Sequence, residues 1–168
     1  MEPPYLSVIV PCYNEHENLC RGVLEEIGRY LGEQMYAYEV IVVDDGSTDD
    51  SVEILRQHLV DKPHFRLLEN KHGGKPAAVW SGIQAACGQV ILFTDMDQST
   101  PIEQLDRLLP YLGEGYDVVI GSRGFARENF PFYRRVGSSV FRAFRRLLLL
   151  RSISDTQCGF KVLRFFLL

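Results

Sequence analysis

The sequence has little of what defines several common classes of protein. Its longest apolar runs, Leu147–Leu150 and Phe165–Leu168, are far shorter than the ~18 to 20 residues that a membrane-spanning helix needs. Its 4 cysteines include no CxxC pair and no accompanying histidine cluster, so we expect reduced thiols and no zinc site. The first residues, Met1–Pro4, lack the basic segment of a signal peptide, and we therefore expect a cytosolic protein.

Two phosphate-binding motifs are missing as well. A dinucleotide-binding domain carries GxGxxG directly after its first strand, whereas the first glycine of this chain is Gly22, inside a predicted helix. The sequence also contains no GxxxxGK[ST]. These two absences exclude the dinucleotide-binding domains and the P-loop ATPases.

Charged residues are abundant but unevenly distributed along the 168 residues. The formal net charge is -4, from 18 Lys and Arg against 22 Asp and Glu. The segment up to Ile120 holds 8 basic and 20 acidic residues, and the remainder holds 10 basic and 2 acidic residues. With 46% hydrophobic residues, the composition predicts one soluble globular domain with an acidic first part and a basic second part.

The hydrophobic pattern predicts an α/β protein. Short β-branched or leucine-rich runs alternate with longer stretches of helical period, as in a mostly parallel sheet flanked by helices. The predicted strands are Leu6–Val10, Glu39–Val43, Phe65–Leu68, Gln89–Thr94 and Tyr116–Ile120. The predicted helices are Glu17–Leu31, Asp49–Leu59, Lys75–Cys87 and Ile102–Leu112, the last with Thr100 as its cap and Pro101 as its first residue.

Two aspartates follow the fourth predicted strand, at the edge where ligands bind in open α/β sheets. Asp95 and Asp97 are one residue apart. Such a pair can hold a divalent cation together with the oxygens of a diphosphate, although a single aspartate there would commonly cap a helix or be solvated. We therefore predict a metal site at these two residues.

Other polar residues at strand ends point to a nucleotide. Asp44 and Asp45 follow the second strand, where carboxylates can accept hydrogen bonds from a ribose or a base, or can form a turn before the next helix. Lys75 follows two glycines at the start of a helix, where its ammonium group can meet a phosphate or remain solvated. We predict a nucleotide contact for at least one of the two aspartates.

The pattern changes after Arg123. Residues Arg134–Leu150 have the period of a helix with an apolar face and a face of arginines. This basic amphipathic helix has two interpretations: it packs on the core with its arginines in solvent, or it lies on an anionic membrane surface.

Five short motifs carry a resemblance to a known family. Pro11–Glu15 (PCYNE), Val42–Asp49 (VVDDGSTD), Asp95–Asp97 (DMD) and Gly121–Arg123 (GSR) occur in this order. Together they resemble the family 2 inverting glycosyltransferases of GT-A fold, a Rossmann-like sandwich. The stretch Asp155–Lys161 (DTQCGFK) is similar to the dolichyl-phosphate β-glucosyltransferases and polyprenyl-phosphate hexosyltransferases, relatives of dolichol-phosphate mannose synthase.

The resemblance implies roles for residues on the donor side. It places Pro11, Tyr13 and Glu15 in the nucleotide pocket, with Asp44 or Asp45 at the base and ribose. With Lys75, from its position at a helix start, and the acidic motif, the candidate nucleotide-sugar-binding residues are Pro11, Tyr13, Glu15, Asp44, Asp45, Lys75, Asp95 and Met96. Asp95 and Asp97 would hold Mg²⁺ or Mn²⁺ with the diphosphate. Several relatives carry a glutamine ligand two residues past the second aspartate; Ser99 occupies that place here, and Gln98 is the candidate ligand one residue earlier.

On the acceptor side the resemblance implies arginines. Arg123 matches a residue that contacts the diphosphate or the acceptor phosphate, and Arg134 or Arg135 matches a second one. With Asp97 and Arg123, Asp155 is a candidate catalytic residue that orients the acceptor or acts as a base, although it would equally serve as a turn cap.

We expect a hexosyltransferase that moves glucose from UDP-glucose to a polyprenyl or dolichyl phosphate with inversion, assisted by the metal. Residues 1–123 would bind the nucleotide sugar and residues 124–168 the acceptor, in one domain that is truncated at its C-terminus. The protein would be peripheral at the cytoplasmic face of a membrane, with no nucleic-acid partner. The alternatives are a GDP-mannose donor, a glycan or other soluble acceptor, and a non-catalytic sugar-nucleotide-binding module.

Overall fold

The computed structural model describes residues 3–121 and 158–165, which form one layered α/β unit. The strands are β1 (Leu6–Cys12), β2 (Tyr38–Asp44), β3 (Phe65–Glu69), β4 (Val90–Thr94), β5 (Val118–Ile120) and β6 (Phe160–Arg164). The helices are α1 (His16–Cys20), α2 (Val23–Gly32), α3 (Ser51–Leu59), α4 (Lys75–Ala85) and α5 (Leu105–Gly113), and a 3₁₀ turn at Ile102–Gln104 leads into α5.

The described strands form one sheet in the order β3-β2-β1-β4-β6-β5. Strand β1 pairs in parallel with β2 and β4, and β2 pairs in parallel with β3. Strand β6 is antiparallel to both of its neighbours, β4 and β5. The carboxyl ends of β1 to β4 therefore meet at one edge, and the start of β6 reaches the same edge from the opposite direction.

Side chains alternate along each strand and fill two separate cores. On one face Val8 and Val10 belong to a large cluster that takes in the apolar sides of α2, α3 and α5. On the other face Ile9 and Ile41 pack with Ala78 of α4 in a smaller cluster. Because both faces are covered, the central strands are continuous apolar runs rather than alternating ones.

Besides shifts of one or two residues at the ends of elements, the structure differs from the predicted elements at three places. The helix predicted over Glu17–Leu31 is divided into α1 and α2 by Gly22, whose φ of 85° is left-handed and does not fit a helix interior. Pro101, and not Thr100, occupies the N-cap position before the 3₁₀ turn. Strand β6 was not predicted, yet it lies between β4 and β5 inside the sheet.

Some predictions concern residues outside the described part. These are the basic helix over Arg134–Leu150 and four candidate site residues, Arg123, Arg134, Arg135 and Asp155. Among the helices of residues 3–121 and 158–165, none combines the length and apolar character needed to cross a bilayer.

Candidate functional site

A cleft of about 220 Å³ opens at the carboxyl ends of β1, β2 and β4. Its walls come from the end of β1 and the loops after these three strands, from the loop after β3 and from the first turns of α4. The lining residues are Pro11, Cys12, Tyr13, Glu15, Asp45, His72, Gly74, Lys75, Ala78, Asp95, Met96 and Asp97. Ligands of open α/β sheets bind at this edge, so the cleft is the candidate functional site.

The loop after β1 is fastened to the loop after β2 through Asn14. Its side-chain Oδ1 accepts a hydrogen bond from the Thr48 amide at 2.8 Å, and its own amide donates to Ser47 Oγ at 2.9 Å. Asn14 has a φ of 54°, a left-handed conformation that asparagine tolerates better than most residues. The amide of Glu15 adds a bond to Ser51 Oγ at 2.9 Å. These bonds fix the backbone that carries Tyr13 and Glu15 into the cleft.

Asp45 organises the loop that follows β3. Its buried carboxylate accepts hydrogen bonds from the amides of Gly73 and Gly74 at 2.9 and 2.8 Å. The imidazole Nδ1 of His72 lies 3.0 Å from the same carboxylate. Gly46 allows this approach, because a Cβ atom at position 46 would meet the His72 backbone nitrogen at 2.8 Å. Asp45 therefore shapes the side of the cleft from which α4 begins.

Asp44 has a different role from its neighbour. Its Oδ2 atom accepts hydrogen bonds from the amides of Gly46 and Ser47 at 2.9 and 3.1 Å, and the residue is only 2% exposed. Asp44 thus closes its own turn and does not line the cleft. Of the two aspartates predicted to meet a nucleotide, the structure brings Asp45 to the cleft.

An aromatic pair lies at the mouth of the cleft. The rings of Tyr13 and His72 are 4.5 Å apart between centroids and inclined by 33°. Tyr13 remains 43% exposed, so much of its surface is free for a planar ligand group. The place of His72 in the cleft follows from its long-range contact with Asp45.

Two lysines surround the ring of Phe93 near the end of β4. The ammonium nitrogens of Lys75 and Lys161 lie 5.6 and 5.3 Å from the ring centroid. Lys75 Nζ also lies 2.5 Å from Asp95 Oδ1. Positive charge is thus concentrated beside the acidic motif, as binding of a diphosphate would require.

The acidic motif itself is held by backbone contacts. Asp97 Oδ1 accepts a hydrogen bond from the Ser99 amide at 2.9 Å, and the Asp97 carbonyl accepts one from Arg21 Nη2 at 2.8 Å. Gln98 has a left-handed φ of 48°, and its side-chain amide donates to Thr94 Oγ1 and to the Asp95 carbonyl. Gln98 therefore stabilises the turn and does not line the cleft in this structure.

The carboxylates of Asp95 and Asp97 suit a hard divalent cation. Both line the cleft, and Asp95 Oδ1 is buried without a hydrogen bond from any described residue, apart from the ionic contact with Lys75. Within residues 3–121 and 158–165, no group of three or more His, Cys, Asp or Glu side chains is arranged to hold a metal. A cation here would therefore complete its coordination with oxygens of a bound ligand, as Mg²⁺ does at phosphate sites.

Two further residues shape the site without having been predicted. Gly159, just before β6, packs so closely on Asp95 that an added Cβ atom would overlap the carboxylate. Cys12 lies in the cleft wall, where burial raises the pKa of its thiol to about 12, with further raising by the charges of Asp44 and Glu15. The thiol therefore stays protonated and is a poor metal ligand.

The structure brings most of the predicted donor-side residues together. Those that line the cleft are Pro11, Tyr13, Glu15, Asp45, Lys75, Asp95, Met96 and Asp97. Four unpredicted residues also line the cleft: Cys12, His72, Gly74 and Ala78. Two more, Arg21 and Gly159, contact the acidic motif from outside the lining. The glycine pair before Lys75 is the local sequence signal for part of this set.

Two solved structures with a similar fold contain a nucleotide or a nucleotide sugar. A mannosyltransferase from Pyrobaculum calidifontis, solved with GDP-Man and Mn²⁺, matches with a TM-score of 0.65 at 23% identity, over 98% of this chain and 45% of its own. Glucosyl-3-phosphoglycerate synthase from Mycobacterium tuberculosis, solved with Mn²⁺, UDP and glucosyl-3-phosphoglycerate, matches with a TM-score of 0.70 at 23% identity, over 96% and 57%. These similarities confirm the predicted GT-A fold.

Curated relatives are sugar transferases that act on lipid phosphates, according to their names. A dolichyl-phosphate beta-glucosyltransferase of Drosophila melanogaster is 36% identical over 94% of this chain and 53% of its own length. A dolichol-phosphate mannosyltransferase of Pyrococcus furiosus is 36% identical over 95% and 46%. An undecaprenyl-phosphate 4-deoxy-4-formamido-L-arabinose transferase of Pectobacterium carotovorum is 32% identical over 95% and 48%. The chain spans about half the length of these relatives.

The family described as glycosyl transferase family 2 matches residues 7–168, nearly the whole chain. This match includes every described strand of the sheet apart from Leu6, the first residue of β1. The resemblance seen in the sequence motifs is confirmed, and the chain belongs to glycosyl transferase family 2.

Proposed function

We propose that this chain binds a nucleoside diphosphate sugar in the cleft and transfers its hexose to a polyprenyl or dolichyl phosphate. The observation that carries the proposal is the juxtaposition of two carboxylates, Asp95 and Asp97, with the ammonium group of Lys75 at the ligand-binding edge of the sheet. The names of the curated relatives support the choice of a lipid phosphate as the acceptor.

The cleft offers a distinct group for each part of the donor. The exposed ring surface of Tyr13 can stack on the base, and Lys75 can bind the diphosphate. Asp95 and Asp97 would hold Mg²⁺ or Mn²⁺. A bound ion supplies positive charge that stabilises the departing nucleoside diphosphate. The M. tuberculosis enzyme was solved with Mn²⁺ together with UDP, which supports a divalent cation of this kind.

The acceptor chemistry places little demand on a general base. A phosphate monoester has a second pKa near ~6, so at neutral pH it is already an ionised nucleophile. One of its oxygens forms a bond to the anomeric carbon while the bond from that carbon to the diphosphate breaks. A single in-line displacement inverts this carbon, so an α-linked donor yields a β-linked lipid-phosphate sugar.

The remaining demand is to bring two anions together. Arg123, Arg134 and Arg135 are proposed to bind the acceptor phosphate, because guanidinium groups bind phosphate oxygens in pairs. Asp155 is proposed to orient the acceptor or to act as a base. The basic segment after Arg123 is proposed to lie against the cytoplasmic face of a membrane, where a polyprenyl acceptor resides.

Glucose from UDP-glucose is the proposed donor, in agreement with the name of the D. melanogaster relative. GDP-mannose is the second candidate, because the P. furiosus relative has the same identity and is named a mannosyltransferase. The two donors share the ribose and the diphosphate and differ in the base and in the hexose, so Tyr13 and His72 would meet a different base in each.

A donor panel with a short polyprenyl phosphate and Mn²⁺ tests the function. UDP-glucose is expected to give lipid-phosphate glucose, whereas Asp97→Asn is expected to lower the rate by at least about a hundredfold, because it removes a metal ligand. Glu103→Gln removes one negative charge from an exposed helix position and serves as the matched control. Transfer to a soluble sugar without any transfer to the lipid phosphate would overturn the proposed acceptor.

Donor binding and acceptor binding are separated by calorimetry. UDP with Mn²⁺ is expected to bind the wild-type chain and to bind Asp97→Asn weakly, whatever the acceptor is. Arg134→Gln with Arg135→Gln is expected to retain UDP binding and to lose binding to vesicles that contain anionic lipid. Unchanged vesicle binding by this double variant would contradict the proposed membrane contact.

A further inference from the structure

Three side chains form an ordered contact on the surface, outside the residues that line the cleft. The imidazole Nδ1 of His16 lies 2.6 Å from Asp50 Oδ1. On the other side of the ring, His16 Nε2 lies 3.6 Å from Cys20 Sγ. Cysteine, histidine and aspartate thus follow one another in the order that activates a thiol nucleophile in other proteins.

The local fold explains this order. His16 and Cys20 are four residues apart on α1, so their side chains lie on the same face of the helix. Asp50 is the N-cap residue of α3, and its neighbour Asp49 accepts a hydrogen bond from the His16 backbone amide. The same acidic turn therefore holds both the backbone and the ring of His16.

The turn is itself firmly attached. Burial raises the pKa of Asp49, but hydrogen bonds from the side chain and backbone of Ser51 and from the His16 amide together outweigh burial and lower the pKa. The amide of Glu15 donates to Ser51 Oγ at 2.9 Å. The backbone hydrogen bonds that join the start of α1 to the start of α3 therefore fix the position of the His16 imidazole.

The geometry provides a proton acceptor for the thiol. A ring that donates its Nδ1 hydrogen to the Asp50 carboxylate presents the Nε2 lone pair to the thiol of Cys20. The ring can then accept the thiol proton, leaving a thiolate beside an imidazolium. Cys20 is exposed, so a reagent in solution can reach its sulfur atom.

The other three cysteines lack one of these conditions. Cys12 and Cys158 are buried. Cys87 is exposed, but the contact of its Sγ atom is with the Ala85 carbonyl at 3.8 Å, and no imidazole contacts it among the described residues. Cys87 is therefore an internal reference for an exposed thiol without a proton acceptor.

We propose that Cys20 is a nucleophilic thiol that takes up small-molecule disulfides as a modification site. His16 accepts the proton, and the thiolate sulfur attacks one sulfur of the disulfide. A bond forms between Cys20 Sγ and that sulfur, the sulfur–sulfur bond of the reagent breaks, and the second half leaves as a thiolate that takes up a proton. The disulfide is the only oxidant needed, and the proposal does not depend on the transferase activity.

The test compares two cysteines within one molecule. The full chain is incubated at neutral pH with oxidised glutathione, and the rate of modification at Cys20 and Cys87 is followed by mass spectrometry of the peptides. Modification of Cys20 is expected to be about tenfold faster or more, as the thiolate is the reactive form. Equal rates at the two residues would overturn the proposal.

Variants then assign the difference to the imidazole. His16→Asn and Asp50→Asn are expected to lower the Cys20 rate towards that of Cys87 and to leave the Cys87 rate unchanged. His58→Asn, at a second histidine paired with an acid, Glu25, is the matched control and is expected to change neither rate. An unchanged Cys20 rate in His16→Asn, or an equal fall in His58→Asn, would contradict the assigned role of His16.

Discussion

Gly159 lies against the carboxylate of Asp95, so that a Cβ atom at position 159 would overlap both carboxylate oxygens. Gly159 directly precedes β6, and Asp95 directly follows β4, its antiparallel partner. The sheet thus places a residue from the end of the chain on the acidic motif that precedes it by more than sixty residues. The absence of a side chain at position 159 is what allows Asp95 to turn into the cleft.

Gly159→Ala is expected to displace the Asp95 carboxylate and to weaken Mn²⁺ binding by about tenfold or more, as changes beside a metal ligand commonly do. Calorimetric titration of Mn²⁺ in the presence of UDP measures the effect. Gly32→Ala is the control, because an added Cβ atom meets nothing within 4 Å there. Equal Mn²⁺ affinity in both variants would show that Asp95 does not depend on Gly159.

Asp45→Asn is expected to destabilise the fold by about 1 to 3 kcal/mol, because the buried carboxylate accepts the amides of Gly73 and Gly74 and an asparagine presents only one acceptor. Denaturant unfolding measures the loss, and UDP affinity is expected to fall with it, since the same loop lines the cleft. Asp61→Asn, at an exposed position, is expected to change neither quantity. A variant as stable as the wild type would rule out the role given to Asp45.

The architecture around these residues could be predicted from the sequence because its signals are local. Runs such as Val40–Val43 identify buried parallel strands, and the polar residues that follow them mark the ligand edge. The distinction between Asp44 and Asp45 could not be predicted, because it depends on which amides each carboxylate meets in three dimensions. Asp44 bonds within its own turn, and Asp45 reaches a loop 28 residues away.

Strand β6 shows the same limit. The sequence of its five residues, FKVLR, is too short to distinguish a strand from a loop. Their partners in β4 lie about seventy positions earlier in the chain. The pairing of β6 with β4 places Gly159 against Asp95 and Lys161 beside Phe93. The resemblance of the DTQCGFK stretch to a family identified the segment as important, but it did not indicate that part of it is a strand.

The stability of the fold is expected to fall above about pH 9, because burial raises the pKa of the Cys12 thiol to about 12. In the unfolded chain this thiol ionises near ~8.5, so between the two values the unfolded state holds fewer protons than the folded state and the free energy of unfolding decreases with pH. Burial also raises the pKa of the Tyr30 hydroxyl, and its hydrogen bond to Asp106 raises this pKa further. Tyr30 therefore adds to the loss of stability at high pH.

Cys12→Ala separates the thiol from the tyrosines. One such group lowers the free energy of unfolding by up to ~1.4 kcal/mol per pH unit. This contribution of Cys12 to the pH dependence is expected to disappear in the variant, even if the variant is less stable at pH 7. Urea unfolding at several pH values between 8 and 10 measures it. Cys87→Ala, which removes an exposed thiol, is the control, and its slope should equal that of the wild type. A wild-type slope in Cys12→Ala would refute this assignment.

Lys75 and a divalent cation are expected to compete for Asp95. The ammonium nitrogen lies 2.5 Å from Asp95 Oδ1, so a metal that binds this oxygen in the absence of nucleotide must displace or repel it. Lys75→Met is therefore expected to raise the affinity for Mn²⁺ alone several-fold. The same variant is expected to lower the affinity for UDP in the presence of Mn²⁺, because the diphosphate loses its ammonium partner.

Lys71→Met removes the same charge from an exposed position outside the cleft lining and controls for the general change in charge. If the affinity for Mn²⁺ alone rises and the affinity for UDP with Mn²⁺ falls, Lys75 neutralises the charge of Asp95 until the diphosphate binds. If both affinities fall, Lys75 instead holds the Asp95 carboxylate in position for the metal.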